Sequence, residues 1–169
     1  KKNGTALTDG GNILGSKSAN LRVQNISSAD EGNYTVEVTG KCNSAESTAA
    51  ILTVDDKVRI ITQPQDVTQC EGTEAKFTVV ATGTDMLYQW RKGAVNLTDG
   101  GDISGTGTAT LTISNIKTSD EGLYYVIITG KCRSEISTSV QLTVNDNVVI
   151  TAQPADITKC EGTTATFTV

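Results

Sequence analysis

Shifting the chain against itself by 90 residues brings 42 of the 79 overlapping positions into identity, without one insertion or deletion. Leu7-Thr8-Asp9-Gly10-Gly11 falls on Leu97-Thr98-Asp99-Gly100-Gly101, Asp30-Glu31-Gly32 on Asp120-Glu121-Gly122, and Cys70-Glu71-Gly72 on Cys160-Glu161-Gly162. Self-similarity at a fixed period means that one structural unit is used again and again. The phase is as informative as the period. Residues 58–147 make one complete repeat, 1–57 the back part of the repeat before it, and 148–169 the front part of the repeat after it. The chain therefore reads as an excerpt from a longer array. A rival reading has the two incomplete ends complement each other between molecules by strand donation.

Within one repeat the apolar positions alternate. Ala75, Phe77 and Val79 are interleaved with Lys76 and Thr78, Tyr88 and Trp90 share a face, and Leu111 and Ile113 do the same. Tyr124, Val126 and Ile128, then Val140, Leu142 and Val144, continue the pattern. Period-two alternation marks strands buried on one face, and 16 glycines supply turns between them. The expected class is all-β.

The inventory of side chains excludes several chemistries. There is no histidine, which removes Ser-His-Asp and Cys-His machinery and most zinc sites. A net charge of −5 lacks the cationic footprint that nucleic acid demands. No apolar run approaches the roughly 20 residues of a membrane span, so direct membrane insertion is not expected. No secretory leader opens the residues given, and no acid–base pair of carboxylates stands out, so no enzyme is expected.

Tyr88-Gln89-Trp90-Arg91-Lys92-Gly93, Leu111-Thr112-Ile113-Ser114-Asn115-Ile116 and Asp120-Glu121-Gly122-Leu123-Tyr124 resemble the C, E and F strands of an immunoglobulin-like domain. Asp120, Gly122 and Tyr124 match its tyrosine corner, and Asp30, Gly32 and Tyr34 repeat it. The resemblance implies tandem immunoglobulin-like Greek-key β-sandwiches with Trp90, Tyr34, Tyr124, Asp30, Asp120, Val79 and Val126 defining the fold. Val79 and Val126 stand where antibody-type domains carry their inter-sheet disulfide. As an array with Cys-Glu-Gly and Gly-Lys-Cys marks, the chain looks most like the repeats of giant Bacteroidota-type surface adhesins. That implies a secreted, extracellular cell-surface shaft or filament serving attachment, with gliding among the family's roles.

Cys42, Cys70, Cys132 and Cys160 recur at two places in the repeat. Without CxxC spacing or histidine they read as structural disulfide candidates in an oxidising compartment. In the topology the resemblance implies, Cys70 in the A–B turn and Cys132 in the F–G turn lie at opposite ends, about 25 Å apart for an eight-residue strand. Two pairings stay open. Cys70 joins the F–G cysteine of the next repeat and Cys132 the A–B cysteine of the previous one, or Cys70 closes on Cys132 in a different topology.

Asp55-Asp56-Lys57 and Asn145-Asp146-Asn147 connect the repeats with almost no slack. Asp55, Asp56, Asn145 and Asp146 are weak Ca²⁺ candidates, set against solvated turns. Thr98-Asp99-Gly100-Gly101-Asp102 and its copy read first as turns, and no cofactor is expected. Asn3, Asn25, Asn33 and Asn96 open N-x-S/T triplets, which matter only in a eukaryotic source. Tyr88 and Trp90 read as core packing more readily than as a sugar platform.

The expected partners are neighbouring repeats of the same chain and an unidentified surface, glycan or protein ligand. Two alternatives to the shaft stand beside it: a carbohydrate- or protein-binding module, and a stalk appended to a secreted enzyme. Between 12–20 and 102–110 only Ile, Gly and Ala persist, which makes that loop the first place to look for binding.

Overall fold

The computed structural model describes residues 1–169 and is built from strands and two short 3-10 turns. Residues 1–57 carry β1 (Ile13–Leu14), β2 (Arg22–Val23), β3 (Gly32–Tyr34), β4 (Glu37–Thr39), β5 (Ser44–Glu46) and β6 (Ala50–Leu52). The following segment holds β7 (Arg59–Thr62), β8 (Val67–Cys70), β9 (Ala75–Thr78), β10 (Val80–Thr82), β11 (Leu87–Lys92) and β12 (Val95–Asn96). It continues with β13 (Ile103–Ser104), β14 (Thr110–Ile113), β15 (Gly122–Thr129), β16 (Ser134–Ile136) and β17 (Val140–Asn145). No strand forms between 148 and 169.

Two sheets face each other across residues 58–145. One runs β12-β11-β15-β17-β8, with β16 on β15, and the other runs β13-β14-β9. A further pair, β7 on β10, enters the sandwich with a register shift between Val80 and Ala81. All ladders are antiparallel except β17 with β8, which is parallel. Pro64, which has no N–H to give, is buried where the chain leaves β10's side and crosses to β17. It thus marks the switch between sheets, between the edge strands β7 and β8.

Alternation becomes a closed core because each sheet turns its apolar face inward. All 14 members of the core cluster lie between Val58 and Val144. Trp90 is fully buried opposite Val126, and its Nε1 donates to the Thr108 carbonyl at 2.9 Å. Phe77 fills the centre, 5.1 Å from the Tyr124 ring and 6.3 Å from Trp90 between centroids. This segment thus closes its core from its own residues.

The flanking residues repeat the same local structure without that closure. Tyr34 donates its hydroxyl to the Asp30 carbonyl at 2.7 Å, as Tyr124 does to Asp120 at 2.6 Å. Residues 1–57 correspond to 91–147 and so contain no counterpart of β9 and only the last two residues of β11, as Lys1 and Lys2. Accordingly, Leu21, Val23, Tyr34, Ala50, Ile51 and Leu52 line an open apolar face, whereas Leu111, Tyr124 and Leu142 are covered. Phe167 is 64% exposed where Phe77 is 1% exposed.

Candidate functional site at the repeat junctions

The structure gathers polar contacts at both ends of the sandwich, where it meets the connecting residues. At the entry end, the turn between β15 and β16 and the turn before β11 close over Asp55 and Asp56. Lys131 Nζ lies 3.0 Å from Asp55 Oδ2, and the Cys132 thiol donates to the Asp55 carbonyl at 3.4 Å. Thr84 N donates to the Asp56 carbonyl, and Asp56 N donates back to Thr84 Oγ1 at 2.9 Å. The fit is close enough to require glycine, since a Cβ on Gly130 would stand 2.4 Å from Val58 Cγ2. The Asp55 carboxylate holds the Lys131 ammonium above its ordinary pKa, first by hydrogen bonding and then by charge.

At the exit end the partners are Cys70 and Glu71. Cys70 is the ladder partner of Asn145 across the parallel pair, and Glu71 N donates to the Asn145 carbonyl at 2.9 Å. Asn147 Nδ2 donates back to the Glu71 carbonyl at 3.2 Å. Glu121 Oε1 accepts from Val144 N at 2.9 Å, and Glu31 does the same for Val54 at 2.8 Å. The carboxylates beside the tyrosine corners thus tie down the last strand, a use that adjacency in sequence did not reveal.

Register fixes where the cysteines lie. Cys70 is level with Asn145, three residues beyond the Leu142–Gly122 pair, and Thr129 lies seven residues the other way along β15. Ten residues of strand rise is roughly 33 Å, against about 7 Å between Cα atoms for a disulfide. Cys70 and Cys132 therefore cannot pair within the repeat. All four cysteines are exposed free thiols.

Asp55 is engaged by Lys131, and no group of three or more His, Cys, Asp or Glu side chains converges around Asp55, Asp56, Asn145 or Asp146. In the Asp-Gly-Gly turns, Asp99 Oδ1 accepts from Thr106 N at 2.8 Å and Asp9 Oδ1 from Ser16 N at 2.6 Å. These carboxylates brace the loop that follows. Gly105 is needed there, because a Cβ would meet the Thr110 carbonyl at 2.2 Å.

Hydrogen bonds from the Thr106 hydroxyl and then its N–H hold the Asp99 carboxyl below its ordinary 3.8. A depressed carboxylate adds stability above its unfolded pKa, and the contribution is lost as pH falls through the folded value. Unfolding midpoints are thus expected to drop below about pH 4, and Asp99→Asn should flatten that part of the profile. An unchanged acid limb in urea titrations of the variant would overturn the assignment.

Opposed sheets, a sheet-switching first strand lying parallel to the last, and tyrosine hydroxyls bonded back to the corner backbone define an immunoglobulin-like sandwich. The profile of the immunoglobulin I-set domain matches residues 58–144. The chain belongs to the immunoglobulin I-set family. Roundabout homolog 1 from mouse and from human are each 29% identical over 146 residues, which covers 81% of this chain and 9% of theirs. The chain thus spans about a tenth of the length of these curated relatives.

The fold is shared with Drosophila OTK extracellular domains 3–5, with a TM-score of 0.63 and 23% identity over 85% of this chain and 50% of that one. It is also shared with the N-terminal eight Ig domains of Down Syndrome Cell Adhesion Molecule. There the TM-score is 0.63 and identity 21%, over 74% of this chain and 17% of that one. These relatives lend no support to the bacterial source implied by the resemblance to surface adhesins.

Proposed function

We propose that the chain is a stretch of an extracellular array of immunoglobulin-like repeats that serves as the shaft of a cell-surface adhesion protein and performs no catalysis. In this reading 58–147 is one complete repeat, 1–57 the end of the one before and 148–169 the start of the one after. The observation that carries it is the gap-free 90-residue period, reproduced hydrogen bond by hydrogen bond at both tyrosine corners and both Asp-Gly-Gly turns.

Further support comes from the junctions, where the last residues of one repeat, Asp55 and Asp56, are clamped by the turns of the next. A clamped connector of three residues leaves little room for hinge motion. Recurring cysteines favour an oxidising, extracellular setting. The extracellular OTK segment and the cell adhesion molecule share the fold alone with this chain, and their setting agrees with that placement. Neighbouring repeats are the first partners of each domain, and a protein or glycan is the ligand of the whole.

One observation favours a binding module as the second reading. Residues 102–110 and 12–20 differ in most side chains while Asp99 and Asp9 brace both loops alike. Variable side chains on a fixed frame are how loops acquire ligands.

Two copies of 58–147 joined head to tail, with the thiols reduced, test the shaft by small-angle X-ray scattering. The maximum dimension is expected to grow by on the order of 35–40 Å per repeat. Repeats folded side by side would overturn the shaft, and capture of the same protein on a glycan array would favour the second reading.

A further inference from the structure

From the two ends of the sandwich we infer that consecutive repeats are joined by a disulfide between the cysteine that ends β8 in one repeat and the cysteine between β15 and β16 in the next. The inference rests on the tandem reading and adds a covalent bond to it. Residue 145 stands 90 positions after residue 55, so the two junctions superpose by the repeat itself. At the first junction the Cys132 thiol donates to the carbonyl of residue 55 at 3.4 Å. At the second the carbonyl of residue 145 accepts from Glu71 N at 2.9 Å.

Placed in one frame, both contacts converge on a single carbonyl oxygen. The peptide bond between Cys70 and Glu71 approaches it from the repeat that is ending, and a cysteine thiol approaches from the repeat that is beginning. Their separation is no greater than those two distances together. Cys70 itself lies across a parallel ladder from the same residue, about 4.8 Å away at strand spacing. Both thiols are exposed, so neither needs to leave a packed core to react. The alternative partner, at the far end of the same repeat, is out of reach.

Bond formation removes one proton and one electron from each thiol as the S–S bond forms. The two electrons and two protons pass to a disulfide oxidant, glutathione disulfide in the test tube or a protein thiol–disulfide oxidoreductase during secretion, which leaves as two thiols. Within the 169 residues, Cys70 and Cys132 each serve a different junction and find their partners in the adjoining repeats.

The tandem of two copies of 58–147 provides the test. After equilibration in glutathione redox buffer, non-reducing peptide mapping is expected to link Cys70 of the first copy to Cys132 of the second. Cys132 of the first and Cys70 of the second should remain unpaired. Cys70→Ser in the first copy should abolish the link while leaving the circular dichroism spectrum unchanged. A link from Cys70 to Cys132 within one copy, or four unlinked cysteines in the folded protein, would overturn the inference. Scattering separates this from the shaft: an extended pair without the link removes the staple alone, and a linked pair that folds back removes the shaft alone.

Discussion

Replacing Trp90 by alanine is expected to destabilise the complete repeat by about 3–5 kcal/mol, the usual range for truncating a buried aromatic. The side chain is fully buried, meets Phe77 across the core, and supplies the donor for the Thr108 carbonyl. The substitution opens a cavity and also leaves that carbonyl without a partner. Against a typical domain stability of roughly 5–15 kcal/mol the loss is large, and the variant should be partly unfolded at physiological temperature. Trp90→Phe refills much of the volume but not the hydrogen bond, so a smaller loss of about 1–2 kcal/mol is expected. Urea titration followed by circular dichroism is the measurement, because removing Trp90 removes the chain's one tryptophan signal. A loss below about 1 kcal/mol for the alanine variant would contradict the packing described.

The second large effect runs the other way. Val79, just past the end of β9, and Val126, in β15 of the facing sheet, are both buried in one core. They occupy the positions at which antibody-type domains bridge the sandwich. Substituting both by cysteine is expected to form that bridge under oxidation. It encloses a loop of 47 residues, for which chain entropy gives about 4 kcal/mol of stabilisation. For a domain of this size that corresponds to a rise of roughly 15–30 °C in Tm. Intact mass without reductant and thermal melts with and without it provide the comparison. An oxidised variant that melts at or below the parent would show that the two positions are not opposed as the sheets place them.

Several features were readable before any coordinates because they depend on local pattern. Alternation through Ala75, Phe77 and Val79 marks a buried face whatever lies across from it, and a tyrosine four residues after an aspartate marks a corner because the bond it makes is local. What escaped depends on contacts between distant segments. The parallel pairing of β8 with β17 arises only after the chain crosses sheets at Pro64, and no pattern within Val67–Cys70 announces its partner. Ser137 is buried and accepts from Val126 N at 3.0 Å, which separates β16 from β17. The persistence of Ser47-Thr48 as Ser137-Thr138 was a signal for that break, since Ser47 receives Val36 N in the same way. The clamp at each junction was also hidden, because Lys131 and Asp55 are 76 positions apart and meet only when the sandwich closes.

The parallel ladder between β8 and β17 has a consequence for an array that is pulled from its ends. Tension enters a repeat on the side of its first strands and leaves through the last, so these two neighbours are drawn in opposite directions along their common axis. The four register pairs from Leu142–Val67 to Asn145–Cys70 are then loaded together in shear. An antiparallel hairpin pulled at its open end would instead peel one bond at a time. Shared loading raises the force at which the first strand detaches, and until it does the sheets behind it carry little of the strain.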